Sequence, residues 1–359
     1  MRVLMVAERL PPGIGGVERH VAGLARELTN RGLQVTLVAP CEAGGPPGAP
    51  EAGDVQILHI PRTGRRWRDY VRAWGWWTEH RWALAQADLL HFHDVYALLH
   101  WFGPARLLCP GKRLYLTYHG YEMRCPVPHR ARFYRWLAER WVGGSLCVGH
   151  YLIKWFHLRP EAVTYGAVTV PREPPARPVE PHAVFIGRLA PDTGLDIYLG
   201  GLGLLKRRYQ LTLPLIVCGD GPYRSRLERL ALKERVDATF MGFVAEPAQF
   251  LPQTSVALVS SYLAMLEAMA YRRPVFSVYH TPIKADYLRM VPGADQMFQV
   301  AGSADQLASQ LAALLSGRDD PSDRVEQACS FARRHTWQRL ARTYIDLWSS
   351  HGVAPQEAK

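Results

Sequence analysis

Residues 3–7 (Val3, Leu4, Met5, Val6, Ala7) form an unbroken apolar run, the pattern of a strand buried on both faces. Pro11-Pro12-Gly13-Ile14-Gly15-Gly16 then breaks the chain into a loop. From Val17 the apolar positions recur at helical spacing, Val17, Val21, Leu24, Ala25 and Leu28, and Arg31-Gly32 closes the helix. Residues 33–39 read as a second strand. This is a βαβ unit opening a parallel sheet. Residues 88–93 and 113–118 read as further strands, with aromatic-rich helical stretches around them.

Residues 171–180 carry four prolines and read as a stiff connection between domains. A second alternating series follows. Strands are expected at 183–187, 213–218, 238–242, 255–259 and 274–278. Helices are expected at 194–208, 222–234 and from Leu263 to Tyr271, and the tail reads as two helices, 304–315 and 322–349. The sum is an α/β chain of two doubly wound parallel-sheet domains, without a short-period repeat.

The length of 359 residues also fits two domains. With 48% hydrophobic and 21% charged residues, global disorder is excluded. No apolar run reaches the roughly 18–20 residues of a membrane span, and the opening run is too short for a signal sequence, so a cytoplasmic start is expected. The six cysteines form no C-x-x-C pair, which argues against a zinc site or a disulfide framework and for buried, reduced thiols. The net charge is +11, and the first 173 residues carry 22 Lys/Arg against 14 Asp/Glu. A basic N-terminal half implies an anionic partner.

Part of that charge is clustered with aromatics. Arg62, Arg65, Arg66, Trp67, Arg68, Arg72, Trp74, Trp76, Trp77 and Trp82 crowd one segment. In a second, Arg130, Arg132, Arg135 and Arg140 accompany Phe133, Trp136, Leu137 and Trp141 at helical spacing. Trp and Arg suit a lipid headgroup zone. No nucleic-acid module accompanies them, so an anionic membrane surface is the expected partner and nucleic acid is not. The competing reading is an ordinary core with solvated arginines outside it.

Gly13-Ile14-Gly15-Gly16-Val17-Glu18, between a strand and a helix, suits anion binding. It is not a dinucleotide fingerprint: the spacing is G-x-G-G, and no acidic residue closes the second strand. His91, His93 and Asp94 have a metal-like look, but alternation puts Asp94 on the opposite strand face from the two histidines, and no metal site is expected.

Several motifs occur in one order along the chain. They are Gly15-Gly16-Val17-Glu18 with Arg31-Gly32-Leu33-Gln34-Val35; Gly187-Arg188-Leu189 with Gly194-Leu195-Asp196; Gly219-Asp220-Gly221-Pro222; Phe240-Met241-Gly242; Leu266-Glu267-Ala268-Met269-Ala270 with Arg273-Pro274-Val275; and Thr336-Trp337. In these the chain resembles the family 4 glycosyltransferases, retaining enzymes of the GT-B fold. The resemblance implies two Rossmann-like domains facing a cleft. Residues 1–172 would form the acceptor domain, 173–180 the linker, 181–335 the nucleotide-sugar donor domain, and 336–359 a helix crossing back to the N-terminal domain.

By the same resemblance Glu267 holds the donor ribose and Arg188 binds the diphosphate. His119 contacts the transferred sugar, so His119, Arg188 and Glu267 are the catalytic candidates. Gly15, Gly16, Thr193, Gly242, Ser260, Ser261, Leu263 and Ala264 complete the donor site. A UDP- or GDP-sugar is the expected co-substrate, without cofactor or metal; no D-x-D is present. The acceptor is expected to be a glycan or a lipid-linked molecule. Arg65, Arg66, Trp67, Arg130, Arg132, Arg135 and Trp136 are the expected membrane or acceptor surface, and peripheral attachment to the inner face of the cell membrane the expected location.

Two departures from the family pattern bear on activity. A lysine usually lies five residues after the arginine; here that position is Thr193. The loop usually opening the Glu267 helix is about five residues shorter, and its first glutamate is replaced by Val259. A second reading therefore stays open: the same fold serving as a binding or partner subunit with weak or lost transferase activity.

Overall fold

Each half of the chain builds one all-parallel sheet around its own core. The computed structural model describes residues 1–10, 15–42, 55–120, 125–172 and 181–350. The proline-rich 173–180 and Pro11 to Ile14 lie outside the described residues. One unit comprises Met1–Thr164 together with the segment from Trp337 on; the other is Tyr165–Thr336.

The first sheet has seven strands: β1 (Arg2–Ala7), β2 (Gln34–Glu42), β3 (Gln56–Arg62), β4 (Leu89–His93), β5 (Arg113–Tyr118), β6 (Gly144–Val148) and β7 (Ala162–Thr164). Their order is β3-β2-β1-β4-β5-β6-β7. β1 and β4 are buried along almost their whole length, as central strands covered on both faces must be. The second sheet has six: β8 (Ala183–Ile186), β9 (Leu215–Cys218), β10 (Ala238–Gly242), β11 (Val256–Leu258), β12 (Val275–Val278) and β13 (Gln299–Ala301). They are ordered β10-β9-β8-β11-β12-β13. Phe185, Leu199, Leu202, Val217, Phe276 and Leu307 fill its core, each contributing about 1.5–3 kcal/mol by burial. In both sheets the order reverses beside the first strand, leaving a crevice at the carboxyl ends of β1 and β4 and of β8 and β11.

The elements expected from the apolar pattern form, with ends shifted by a residue or a few. The exception is the tail, where one helix over 322–349 is two, Ser322–Arg333 and Trp337–Ser350. The break has a backbone cause. The Val168 amide donates to the His335 carbonyl at 2.8 Å, and Val168 bridges Thr336 in parallel, so this stretch is extended.

The final helix then packs in the first unit, burying Leu340, Ala341, Tyr344, Leu347 and Trp348. It lies against the helix Gly16–Asn30, where a Cβ on Gly23 would fall 2.3 Å from the Trp337 ring; only a glycine leaves room for the indole. Among the described residues no helix is long and apolar enough to cross a membrane. Cys109, Cys147, Cys218 and Cys329 are buried free thiols, whereas Cys41 is partly exposed and Cys125 exposed, so the buried-thiol reading fails for those two.

Candidate active site

In the first unit the crevice gathers the head of the helix that follows β1, the last residue of β4 and the first residue after β5. Gly15 caps the helix Gly16–Asn30 in extended backbone, and a Cβ there would meet the Glu18 carboxylate at 2.1 Å. Gly16 is exposed beside it, and Glu18 is buried. Gly15 therefore lets a buried carboxylate fold back over the helix head.

Beside the head of this helix lies a cluster of four buried histidines, His20, His91, His93 and His119. Trp348 of the final helix donates its indole N–H to His91 Nδ1 at 3.1 Å. An indole only donates, so the neutral His91 carries its proton on Nε2 and donates to Thr117 Oγ1 at 2.8 Å. The Thr117 hydroxyl then meets Tyr344 Oη at 2.8 Å, and Tyr344 meets His20 Nε2 at 3.0 Å. One donor-only group thus directs a chain of hydrogen bonds from the final helix to the helix Gly16–Asn30. The His20 ring stands edge-on to His119, centroids 4.8 Å apart. His93 Nδ1 lies 2.9 Å from His119 Nε2.

Burial holds all four histidines neutral. It lowers His20 to about 4, and burial with the neighbouring His20 lowers His91 to about 3. Burial and then the surrounding imidazoles push His93 and His119 well below the ordinary histidine range. Candidate ligand atoms of His20, His93 and His119 lie within 4.8 Å of one another, a convergence that strand alternation alone did not reveal. Hydrogen bonding occupies one nitrogen of each ring: Tyr344 meets His20 Nε2, and His93 Nδ1 meets His119 Nε2.

In the second unit the crevice is floored by glycines. A Cβ on Gly219 would fall 1.8 Å from the Gly187 carbonyl oxygen, and one on Gly221 would fall 2.6 Å from that of Leu189. The Gly219 amide donates to the Gly242 carbonyl at 2.8 Å, and Gly242 takes φ +71°, so the carboxyl ends of β8, β9 and β10 are stitched flush. Arg188 follows β8. Its guanidinium is half exposed and pairs with Asp192 at 2.8 Å. Glu267 lies in the helix Tyr262–Ala270 after β11 and is 7% exposed.

β11 runs into that helix through Val259, Ser260 and Ser261 alone, as the short spacing predicts. The Tyr262 amide donates to Tyr287 Oη at 2.8 Å, and the first intrahelical bond runs from the Met265 amide to the Ser261 carbonyl. Between them the amides of Leu263 and Ala264 point along the helix axis toward the crevice, as N-terminal amides do.

Four expectations need correcting. Ser260 is buried with its hydroxyl bonded to Tyr198 Oη at 2.7 Å and to the Val278 amide at 3.0 Å, so it ties β11 to β12 and is not turned to a ligand. Ser261 occupies the cap position but makes no side-chain capping bond; Tyr287 does that work. Thr193 donates to the Ala190 carbonyl at 2.8 Å and shapes a turn. Arg135 is 1% exposed, stacked on Phe156 at 4.1 Å. It lies on the inward face of the helix His129–Trp141 with Ala131 and Ala138, and cannot belong to a surface.

The rest of that helix points outward. Phe133 is 54% and Trp136 48% exposed, their rings stacked 5.7 Å apart. Arg130 and Arg132 are exposed beside them, and Arg140 lies over Trp136 at 3.8 Å. In the other cluster Arg65 and Trp67 are exposed and Arg66 opens the helix Arg66–Glu79, whereas Trp76 and Trp77 are core.

Known proteins match on both units. The model of glycosyltransferase family 4 matches residues 14–164, and that of glycosyl transferases group 1 matches residues 180–317. An alpha-D-kanosaminyltransferase of Streptomyces kanamyceticus is 33% identical over 104 residues, covering 26% of this chain and 27% of the relative. A D-inositol 3-phosphate glycosyltransferase of Corynebacterium urealyticum is 28% identical over 191 residues, 48% of this chain and 44% of the relative. The chain thus spans less than half the length of either relative.

Two solved structures share the fold over nearly the whole chain. Anabaena HepE, solved with UDP and glucose, superposes at TM-score 0.75 with 16% identity, covering 98% of this chain and 99% of its own. WaaG, a glycosyltransferase involved in lipopolysaccharide biosynthesis, superposes at 0.63 with 16% identity, covering 96% and 98%. Two parallel sheets in the GT-B arrangement of strands, with one glycosyltransferase model seated on each, make this chain a member of the family 4 glycosyltransferases.

Proposed function

We propose that the protein is a retaining, metal-independent hexosyltransferase that moves a sugar from a UDP- or GDP-sugar to a glycan or lipid-linked acceptor. The observation that carries this is that in the second unit Arg188 follows β8, and the helix that supplies the Leu263 and Ala264 amides and carries buried Glu267 follows β11. A carboxylate accepts two hydrogen bonds, which suits the vicinal hydroxyls of a ribose. Arg188 and the helix amides suit the two phosphates. The absence of a D-x-D pair in the sequence favours charge neutralisation by these groups.

In the reaction the bond from the anomeric carbon to the diphosphate breaks and the acceptor oxygen bonds to that carbon on the same face. Arg188 takes up charge on the leaving diphosphate. The acceptor proton passes to the departing phosphate, so no protein base is required. By the family resemblance His119 is assigned to the transferred sugar. Glu267→Ala should weaken UDP or GDP binding about 10–100-fold, the loss expected for a charged hydrogen-bonding partner. Titration calorimetry reads this directly, and equal affinity of variant and wild type would show that Glu267 is not the ribose ligand.

The outward Phe133, Trp136, Arg130, Arg132 and Trp67 support attachment to an anionic membrane at the inner face of the cell envelope, each basic residue adding about 1 kcal/mol. Co-sedimentation with vesicles containing anionic lipid should exceed that with neutral vesicles. Arg130→Glu with Arg132→Glu should remove most of the difference, while Arg135, being buried, is left alone. Binding indifferent to lipid charge would favour a soluble acceptor.

A further inference from the structure

We propose that His93 is a positioning residue that fixes the tautomer of His119, so that His119 offers an N–H donor on Nδ1 to its ligand. The proposal deepens the reading of His119 as a sugar contact.

The geometry gives the direction of the bond. His93 and His119 share one hydrogen bond, Nδ1 to Nε2 at 2.9 Å, and both rings are buried. The other nitrogen of His93, Nε2, is buried and has no partner among the described residues. A neutral imidazole carries one proton, on one nitrogen or the other. A proton on His93 Nε2 would leave a buried N–H unpaired, and an orphaned N–H is rarer in proteins than an under-used acceptor. The proton therefore sits on His93 Nδ1 and is donated to His119 Nε2. His119, also neutral, must then carry its own proton on Nδ1.

The surroundings keep this arrangement. His20 packs edge-on against His119 and is itself held by Tyr344. The His91 ring, 5.1 Å from His93, is held by Trp348 and Thr117. No charged side chain takes part in these bonds. A sugar hydroxyl meeting His119 would accept a hydrogen bond through its oxygen and keep its own proton for another partner. That fits a recognition role, not proton abstraction, for which the nitrogen facing the ligand would have to be bare.

The test reads the tautomer and the kinetics separately. With histidine labelled in the ring nitrogens, two-bond proton–nitrogen spectra are recorded for wild type, His93→Asn and His93→Phe. The asparagine amide places a donor near the position of His93 Nδ1; phenylalanine fills the space without one. His119 should show a protonated Nδ1 in wild type and in His93→Asn. In His93→Phe it should shift toward the Nε2-protonated form. Transfer by His93→Phe should fall at least tenfold in kcat with the nucleotide affinity unchanged, and His93→Asn should recover most of it.

A wild-type His119 protonated on Nε2, or a spectrum unmoved in His93→Phe, would overturn the proposal. Should no protein in the set transfer sugar, wild type included, the transferase reading fails, and the spectra alone decide the tautomer.

Discussion

Arg188→Ala should lower turnover about 10²–10³-fold, the usual cost of removing a donor aimed at charge that develops in the transition state. The effect is expected at the high end because Thr193 stands where a second cation would share the load, and its hydroxyl is committed to the Ala190 carbonyl. Without ligand, Arg188 is paired with Asp192 four residues on, a half-exposed contact. Such pairs are worth about 0–1 kcal/mol, so the guanidinium is released at little cost when a diphosphate arrives. Asp192→Asn should accordingly leave turnover within a few-fold of wild type. Steady-state kinetics on both variants checks the pair: a large fall for Arg188→Ala in kcat, with Glu267→Ala acting mainly on binding. Equal turnover of Arg188→Ala and wild type would remove Arg188 from the chemistry.

The second large effect is on stability in acid. His20, His91, His93 and His119 are held neutral in the folded protein, well below the ordinary value of 6.5. Below that value the unfolded chain binds protons that the folded chain refuses. Stability is therefore fully present above about pH 6.5 and falls as the pH drops toward the folded values, by about 1 kcal/mol per pH unit for each histidine. Four such groups acting between pH 6.5 and 5 remove an amount comparable to a whole domain's stability of about 5–15 kcal/mol. Asp94, whose carboxyl is raised by burial, works in the opposite sense but is one group against four.

All eleven tryptophans lie in the first unit, so their fluorescence isolates it. The urea midpoint followed by tryptophan emission should fall steeply between pH 7 and pH 5. A midpoint that stays level over that range would mean the cluster is solvated and protonates freely.

How much of this the sequence discloses depends on the length of each signal. Apolar runs such as Val3 to Ala7 and Leu114 to Leu116 read directly, because a strand covered on both faces admits little else. Gln56–Arg62, with His59 and Pro61, and Gln299–Ala301, three residues long, carry no such run; both are edge strands, where the ladder asks less of the sequence. The split of the last helix rests on a pairing with Val168, 168 residues earlier in the chain, which no local pattern contains.

The site divides the same way. Gly187, Gly219 and Gly242 stand in motifs, and the fold shows why: their backbones touch. His91, His93 and His119 were legible singly, His20 was not, and nothing marked the four as a cluster, since His20, His93 and His119 come from three separate elements and the hydrogen bonds around them are closed by Tyr344 and Trp348 from the far end of the chain. Arg135 misled because the spacing of a helix gives its two faces but not which is inside. Alanines at 131 and 138 mark the inward face, on which the guanidinium lies over Phe156.

Sugar transfer from a nucleotide diphosphate sugar is read most directly from the nucleotide it sets free. Release of free nucleotide diphosphate is measured from UDP-, GDP- and ADP-sugars, with and without a glycan or lipid-linked acceptor, for wild type and Arg188→Ala. Release from a UDP- or GDP-sugar should rise with acceptor, be insensitive to chelator and collapse in Arg188→Ala. Tight binding of UDP or GDP without release from any donor would contradict transfer, and would make the chain a binding or partner subunit built on the glycosyltransferase fold.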